Sequence, residues 1–99
     1  MSYQVFFHPK AKAELEESYK WYNERSEGLG DRFIESVNKR ITEIAEYPER
    51  YPKKKMNFRE ATVTKFPFII IYELLQNEKV INISYVFHTK RNPRLKFKR

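Results

Sequence analysis

The chain has 99 residues, 40% of them hydrophobic and sixteen aromatic, with no cysteine and a formal net charge of +7. That length supports one domain with a small core, so a site is expected as a surface groove rather than an enclosed pocket. The lack of cysteine excludes disulfides and thiolate chemistry, and two histidines without adjacent acids argue against a structural metal. No apolar run reaches the ~18 residues of a membrane span and the N-terminus carries no signal-like segment, so a soluble cytoplasmic protein is expected. The charge is segregated: residues 1–49 carry seven Lys/Arg against ten Asp/Glu, and residues 50–99 carry thirteen against three. A basic half of this kind marks a surface that meets something polyanionic, or else a set of solvated lysines.

Residues 2–8 alternate weakly, with Tyr3, Val5 and Phe7 on one face, and predict a short strand that His8-Pro9 ends. His8 reads as a solvated or capping side chain. Lys10 to about Ser26 predicts a helix whose apolar stripe is Ala11, Leu15, Tyr19 and Tyr22, with Trp21 widening it toward the core. The only two glycines, Gly28 and Gly30, lie in the break that follows. Gly28 suits the left-handed close of a helix, and Asp31 suits the cap of the next. With no strand before it, this Gly-x-Gly is a helical hairpin turn and not a phosphate loop. A second helix from about Asp31 to Glu46 buries Phe33, Val37, Ile41 and Ile44, leaves Arg32, Glu35, Lys39 and Glu43 wet, and stops at Tyr47-Pro48.

Residues 48–57 hold two prolines and then Lys53-Lys54-Lys55, which predicts an irregular and strongly cationic connection. Three strands are expected to follow. In the first, Arg59, Ala61, Val63 and Lys65 share a face; Pro67 suggests an edge, a bulge or a strand start. Phe68 to Leu74 is apolar on both faces, as in a covered central strand. Gln76-Asn77-Glu78 reads as the hairpin turn, with Asn77 the candidate for positive φ. In the last strand Ile81, Ile83, Tyr85 and Phe87 are expected to face the helices, and Val80, Asn82, Ser84, Val86 and His88 the wetter side. The β-α-α-β-β-β order predicts an α+β domain, a helical hairpin packed on a mainly antiparallel sheet.

No nucleophile–base pair, paired carboxylates, metal-ligand spacing or phosphate loop is present, and no cofactor is expected. What remains is cationic: Arg59, Lys65, His88, Lys90 and Arg91, with Lys53, Lys54 and Lys55. If strand pairing gathers these on one face, a basic surface with one imidazole results, suited to phosphate and to proton transfer in RNA strand cleavage. The bland alternative for His88 is a structural hydrogen bond at a strand end.

Several stretches resemble the RelE/ParE superfamily of type II toxin–antitoxin toxins, especially its ParE-like, plasmid-stabilisation branch. They are Trp21-Tyr22, residues 28–33 (GLGDRF), residues 44–52 (IAEYPERYP), Arg59-Glu60-Ala61, residues 65–72 (KFPFIIIY) and residues 86–93 (VFHTKRNP). The resemblance implies a microbial-RNase-like fold in a single domain and a small acidic antitoxin as partner. It implies toxicity by either of two routes: ParE-like poisoning of DNA gyrase, or RelE-like, ribosome-dependent cleavage of mRNA. A relative that only binds its antitoxin is a third reading. In the nuclease case Arg59, Lys65 and Arg91 would hold the phosphate and His88 would move the proton. Phe97 stands near the end of the chain, where several nuclease members have a functional tyrosine. Phe66-Pro67-Phe68 and His88-x-x-Arg91-x-Pro93 look more ParE-like, which favours gyrase. Lys53, Lys54, Lys55, Lys90 and Arg94 are the candidates for binding nucleic acid or a partner.

Overall fold

The computed structural model describes residues 3–90. Strand β1 (Gln4–Phe7) leads directly into helix α1 (Pro9–Arg25), and α2 (Leu29–Glu46) folds back beside it. A 3-10 turn at Pro48–Arg50 precedes β2 (Lys53–Lys55), β3 (Phe58–Thr62), β4 (Phe68–Leu75) and β5 (Val80–His88). The five strands form one sheet in the order β1-β5-β4-β3-β2, antiparallel except for β1, which runs parallel to β5. This is the expected α+β arrangement with one addition: Lys53–Lys55, read as irregular, is a strand. Three lysines have little strand propensity of their own; pairing with β3 recruits them.

His8 is the cap expected of it, since its Nδ1 accepts the Lys10 N–H at 3.1 Å and Pro9 supplies the preset first turn. The hairpin turn differs from the reading in detail. Gly28 is left-handed (φ 83°) as expected, but it opens α2 rather than closing α1, which ends on an extended Ser26. Asp31 therefore sits inside the first turn of α2 and accepts the Tyr19 hydroxyl at 3.0 Å instead of capping. The Gly30 N–H donates to Asn23 Oδ1 at 2.8 Å, stitching the two helices together.

The helices present Ala11, Tyr22, Phe33, Val37 and Ile44 to one side of the sheet. There they meet Ala61, Phe68, Ile70, Tyr72, Ile81, Ile83 and Val86. Phe33 is fully buried, its ring 4.7 Å from that of Phe68 and 5.1 Å from that of Tyr22. Trp21 packs edge-on against Tyr22 at 5.2 Å while the Arg25 guanidinium covers its ring at 3.9 Å. It belongs to the core margin, as its place on the helix stripe suggested.

The face assignment of β5 needs correction. Ile71 pairs with Tyr85 but Tyr72 pairs with Ile83, so Ser84 is an extra residue and the side-chain alternation inverts there. Ile81, Ile83 and Val86 face the helices; Tyr85 and Phe87 join Phe58 and Ile71 in a second apolar cluster on the other face. The β4–β5 turn also departs from expectation, because Lys79 (φ 55°) and not Asn77 takes the left-handed position.

β1 pairs with β5 only as far as Ile83, so the far half of β5 has no strand on that edge. Helix α1 compensates: the Glu14 carboxylate accepts the Val86 N–H at 3.2 Å. Leaving a half-buried donor without its acceptor costs about 1–2 kcal/mol. Glu14→Ala is therefore expected to lower stability by about that amount in a denaturant melt, and Glu14→Gln, which keeps an acceptor oxygen, by less.

Candidate functional site

Two basic surfaces, and not one, emerge from the strand geometry. Lys65 was expected to continue the face of Arg59, Ala61 and Val63. β3 ends at Thr62, however, and the chain turns, with Lys65 exposed in the left-handed region at φ 70°. The turn leans toward α2 across an open groove of about 720 Å³, where Lys65 joins Arg32 and Lys39 above Leu29 and Phe66, with Glu35 the one acid. Arg32 and Lys39 were assigned only to the wet face of α2. Their seven-residue spacing, two helical turns, is the signal that could have grouped them.

Arg59 lies elsewhere and is occupied. It pairs with Tyr72 on the helix side of the sheet, and its Nη1 donates to the carbonyls of Tyr51 at 2.7 Å and Glu49 at 3.3 Å. The Tyr72 hydroxyl donates to the Pro48 carbonyl at 2.5 Å. Burial pushes the Tyr72 phenol well above the ordinary tyrosine value, with the Arg59 charge opposing and Tyr51 adding to the rise. Arg40, which sequence reasoning missed, completes this belt: Nε donates to the Thr62 carbonyl at 2.7 Å, Nη1 donates to the Tyr51 hydroxyl at 3.2 Å, and Glu43 pairs with it at 3.1 Å. Two guanidinium groups thus hold the connection between α2 and β3.

His88 ends β5 opposite Phe68, with the two rings 5.3 Å apart. The Ser84 bulge turns it to the helix side, not the wetter side expected, and its Nδ1 accepts the Lys90 N–H at 3.1 Å. Because His88 pairs with Phe68 and Arg59 with Tyr72, four residues apart on β4, their rows lie about 13 Å apart along the strands. Lys65 is near the His88 end of the sheet and Arg59 is not. Lys90 is exposed beyond β5; Arg91 and Arg94 lie outside the described residues.

Lys53, Lys54 and Lys55 are all exposed on the sheet edge, and the adjoining turn displays Met56. Among the described residues no three His, Cys, Asp or Glu side chains are grouped to hold a metal, and no helix is long and apolar enough to cross a membrane. The arrangement supplies cationic binding surfaces; among the described residues it does not assemble Arg59, Lys65 and His88 around one phosphate.

No curated protein matches the sequence. Among solved structures, the chromosomal ParDE toxin–antitoxin system from P. aeruginosa superposes with a TM-score of 0.75 at 15% identity, covering 88% of this chain and 96% of that one. A double arginine-to-alanine mutant of E. coli toxin RelE in the free state gives 0.71 at 18% identity, covering 94% of this chain and 90% of that one. The intact E. coli RelBE toxin–antitoxin complex gives 0.69 at 19%, covering 91% and 100%. These likenesses bear out the two helices on a mostly antiparallel sheet. Residues 5–93 match the family described as ParE toxin of the type II toxin-antitoxin system, parDE. With nearly the whole chain matched and the fold shared, the protein belongs to the ParE toxin family, within the RelE/ParE superfamily of type II toxins.

Proposed function

We propose that this toxin acts by binding DNA gyrase and inhibiting it, without cutting RNA itself, and that an acidic antitoxin neutralises it. The observation that carries the reading is the commitment of Arg59 to the Glu49 and Tyr51 carbonyls, remote from Lys65 and His88. A phosphate-cleaving site needs its cation and its proton carrier within hydrogen-bond reach of one group. Surface cations around an apolar floor suit recognition instead. The groove edged by Arg32, Lys39 and Lys65 over Leu29 and Phe66 is complementary to an acidic amphipathic segment, and such an interaction weakens with salt.

The test runs two assays side by side. Purified gyrase with relaxed plasmid should lose supercoiling activity as the toxin is added. A defined mRNA translated on purified ribosomes should stay intact. Ribosome-dependent cleavage that disappears in His88→Ala would overturn the proposal in favour of the nuclease route.

A further inference from the structure

We propose that the edge formed by β2 and the β2–β3 turn enters a groove of duplex DNA, with Lys53 and Lys55 on its two phosphate walls and Met56 against the bases. This goes beyond gyrase inhibition and concerns the isolated toxin. Three features point to it. Lys53, Lys54 and Lys55 are consecutive and exposed, and among the described residues none of them has an acidic partner. Lys53 pairs with Arg59, on the helix side of the sheet, whereas Lys55 pairs with Phe58, on the opposite side. The irregularity between them therefore sends cations to both faces of one edge.

The third feature is Met56. It is 72% exposed, more than Tyr47 or Phe6, and holds a left-handed backbone at φ 53°. Lys65 and Lys79 share that conformation, so what distinguishes Met56 is a large apolar side chain held out in water at a tight turn. An apolar tip between cations suits contact with apolar base edges, such as the thymine methyl displayed in the major groove.

Cations on both faces narrow the partners. An acidic peptide lying on one face would meet one set of lysines, whereas one added as a strand along the β2 edge would reach both, and the poly-glutamate titration below separates that case from DNA. The two phosphate walls of a DNA groove meet both, and the major groove admits a two-stranded β-ribbon. Duplex RNA has a deep, narrow major groove that excludes such an edge, so the source is DNA.

The experiment measures anisotropy of a fluorescein-labelled 20-base-pair DNA duplex, of the same sequence as duplex RNA, and of labelled poly-glutamate, each titrated with the full-length toxin at several salt concentrations. With each phosphate contact contributing about −0.9 to the slope of log affinity on log salt, the variant Lys53→Gln/Lys54→Gln/Lys55→Gln should flatten the DNA slope by about 2–3. Met56→Asn, which keeps the turn, should weaken DNA binding by about 5-fold and leave the salt slope unchanged, as expected of an apolar base contact. Removing the same charge from α1, where Lys10, Lys12 and Lys20 are exposed, should change the slope by less than half as much. Thermal melts confirm that each variant is folded.

Four results overturn the proposal. They are absence of DNA binding at low salt, an α1 variant as damaging as the β2 variant, equal affinity for duplex RNA, or loss of poly-glutamate binding with DNA binding retained. Because gyrase is absent from the measurement, its outcome is separate from that of the supercoiling assay.

Discussion

Gly30→Ala is expected to destabilise the protein by about 3 kcal/mol. A Cβ at Gly30 would lie 2.5 Å from the Tyr19 carbonyl oxygen and 2.7 Å from the Asn23 side chain. Asn23 can rotate aside, but that gives up its hydrogen bond from the Gly30 N–H. The Tyr19 carbonyl is part of α1 and can move only if the helices separate. Separation would in turn loosen Phe33, which sits three residues further along α2 at full burial. For a domain of this length such a loss corresponds to a drop in Tm of about 12–24 °C. Gly28→Ala is the control with the opposite cause: nothing lies within 4 Å of its Cβ, yet φ is 83°. The left-handed backbone alone should cost about 1 kcal/mol there. A melt in which Gly28→Ala is the more damaging of the two would show that the helices do not approach as closely as the geometry requires.

That pair of glycines also shows what a sequence can and cannot disclose. Their position between two amphipathic stripes was sufficient to place the hairpin, because the 3.6-residue period of Phe33, Val37, Ile41 and Ile44 is a local property. The close approach at Gly30 was not legible, since it depends on which part of α1 lies opposite. The same division runs through the sheet. β4 declared itself by a continuous apolar run, whereas β2 is three lysines that become a strand only by pairing with β3. In β5 a plain count of alternate residues fails at Ser84, because the bulge is defined by the partner strand and not by any residue in β5 itself. The family resemblance does not depend on these details, because it rests on many short stretches at once. Among the described residues Arg59, Lys65 and His88 do not share one face, because that grouping requires an unbroken β3 out to Lys65 and β3 ends at Thr62. The Thr64-Lys65 turn breaks the alternation, and the carbonyls of Glu49, in the 3-10 turn, and of Tyr51, just after it, hold Arg59.

Arg59→Ala is accordingly expected to act on stability first. Its Nη1 serves two carbonyls at the end of the α2–β3 connection, and each bond comes from a charged donor. Losing charge-assisted bonds of this kind costs about 2 kcal/mol, or roughly 8–15 °C in Tm for a chain of this size. Arg59→Lys should restore only part of it, because a flexible ammonium lacks the planar fork that reaches both oxygens. Tyr72 supplies an independent readout. The Arg59 charge lowers the phenol pKa against the larger upward push of burial, so its removal should carry the Tyr72 titration still higher. The sign follows for alkaline stability. A phenol whose folded value is raised stabilises the fold fully below the ordinary tyrosine value and loses that contribution as pH rises toward the folded value. Native protein should begin to weaken above about pH 10, and Tyr72→Phe should remove this part of the decline. If Arg59 holds structure rather than substrate, gyrase inhibition per folded molecule should be unchanged in Arg59→Ala once it is assayed well below its Tm. A variant with the native Tm and no inhibition would place the guanidinium at the target instead, and the belt around Tyr51 and Tyr72 would no longer explain why an arginine stands at that position.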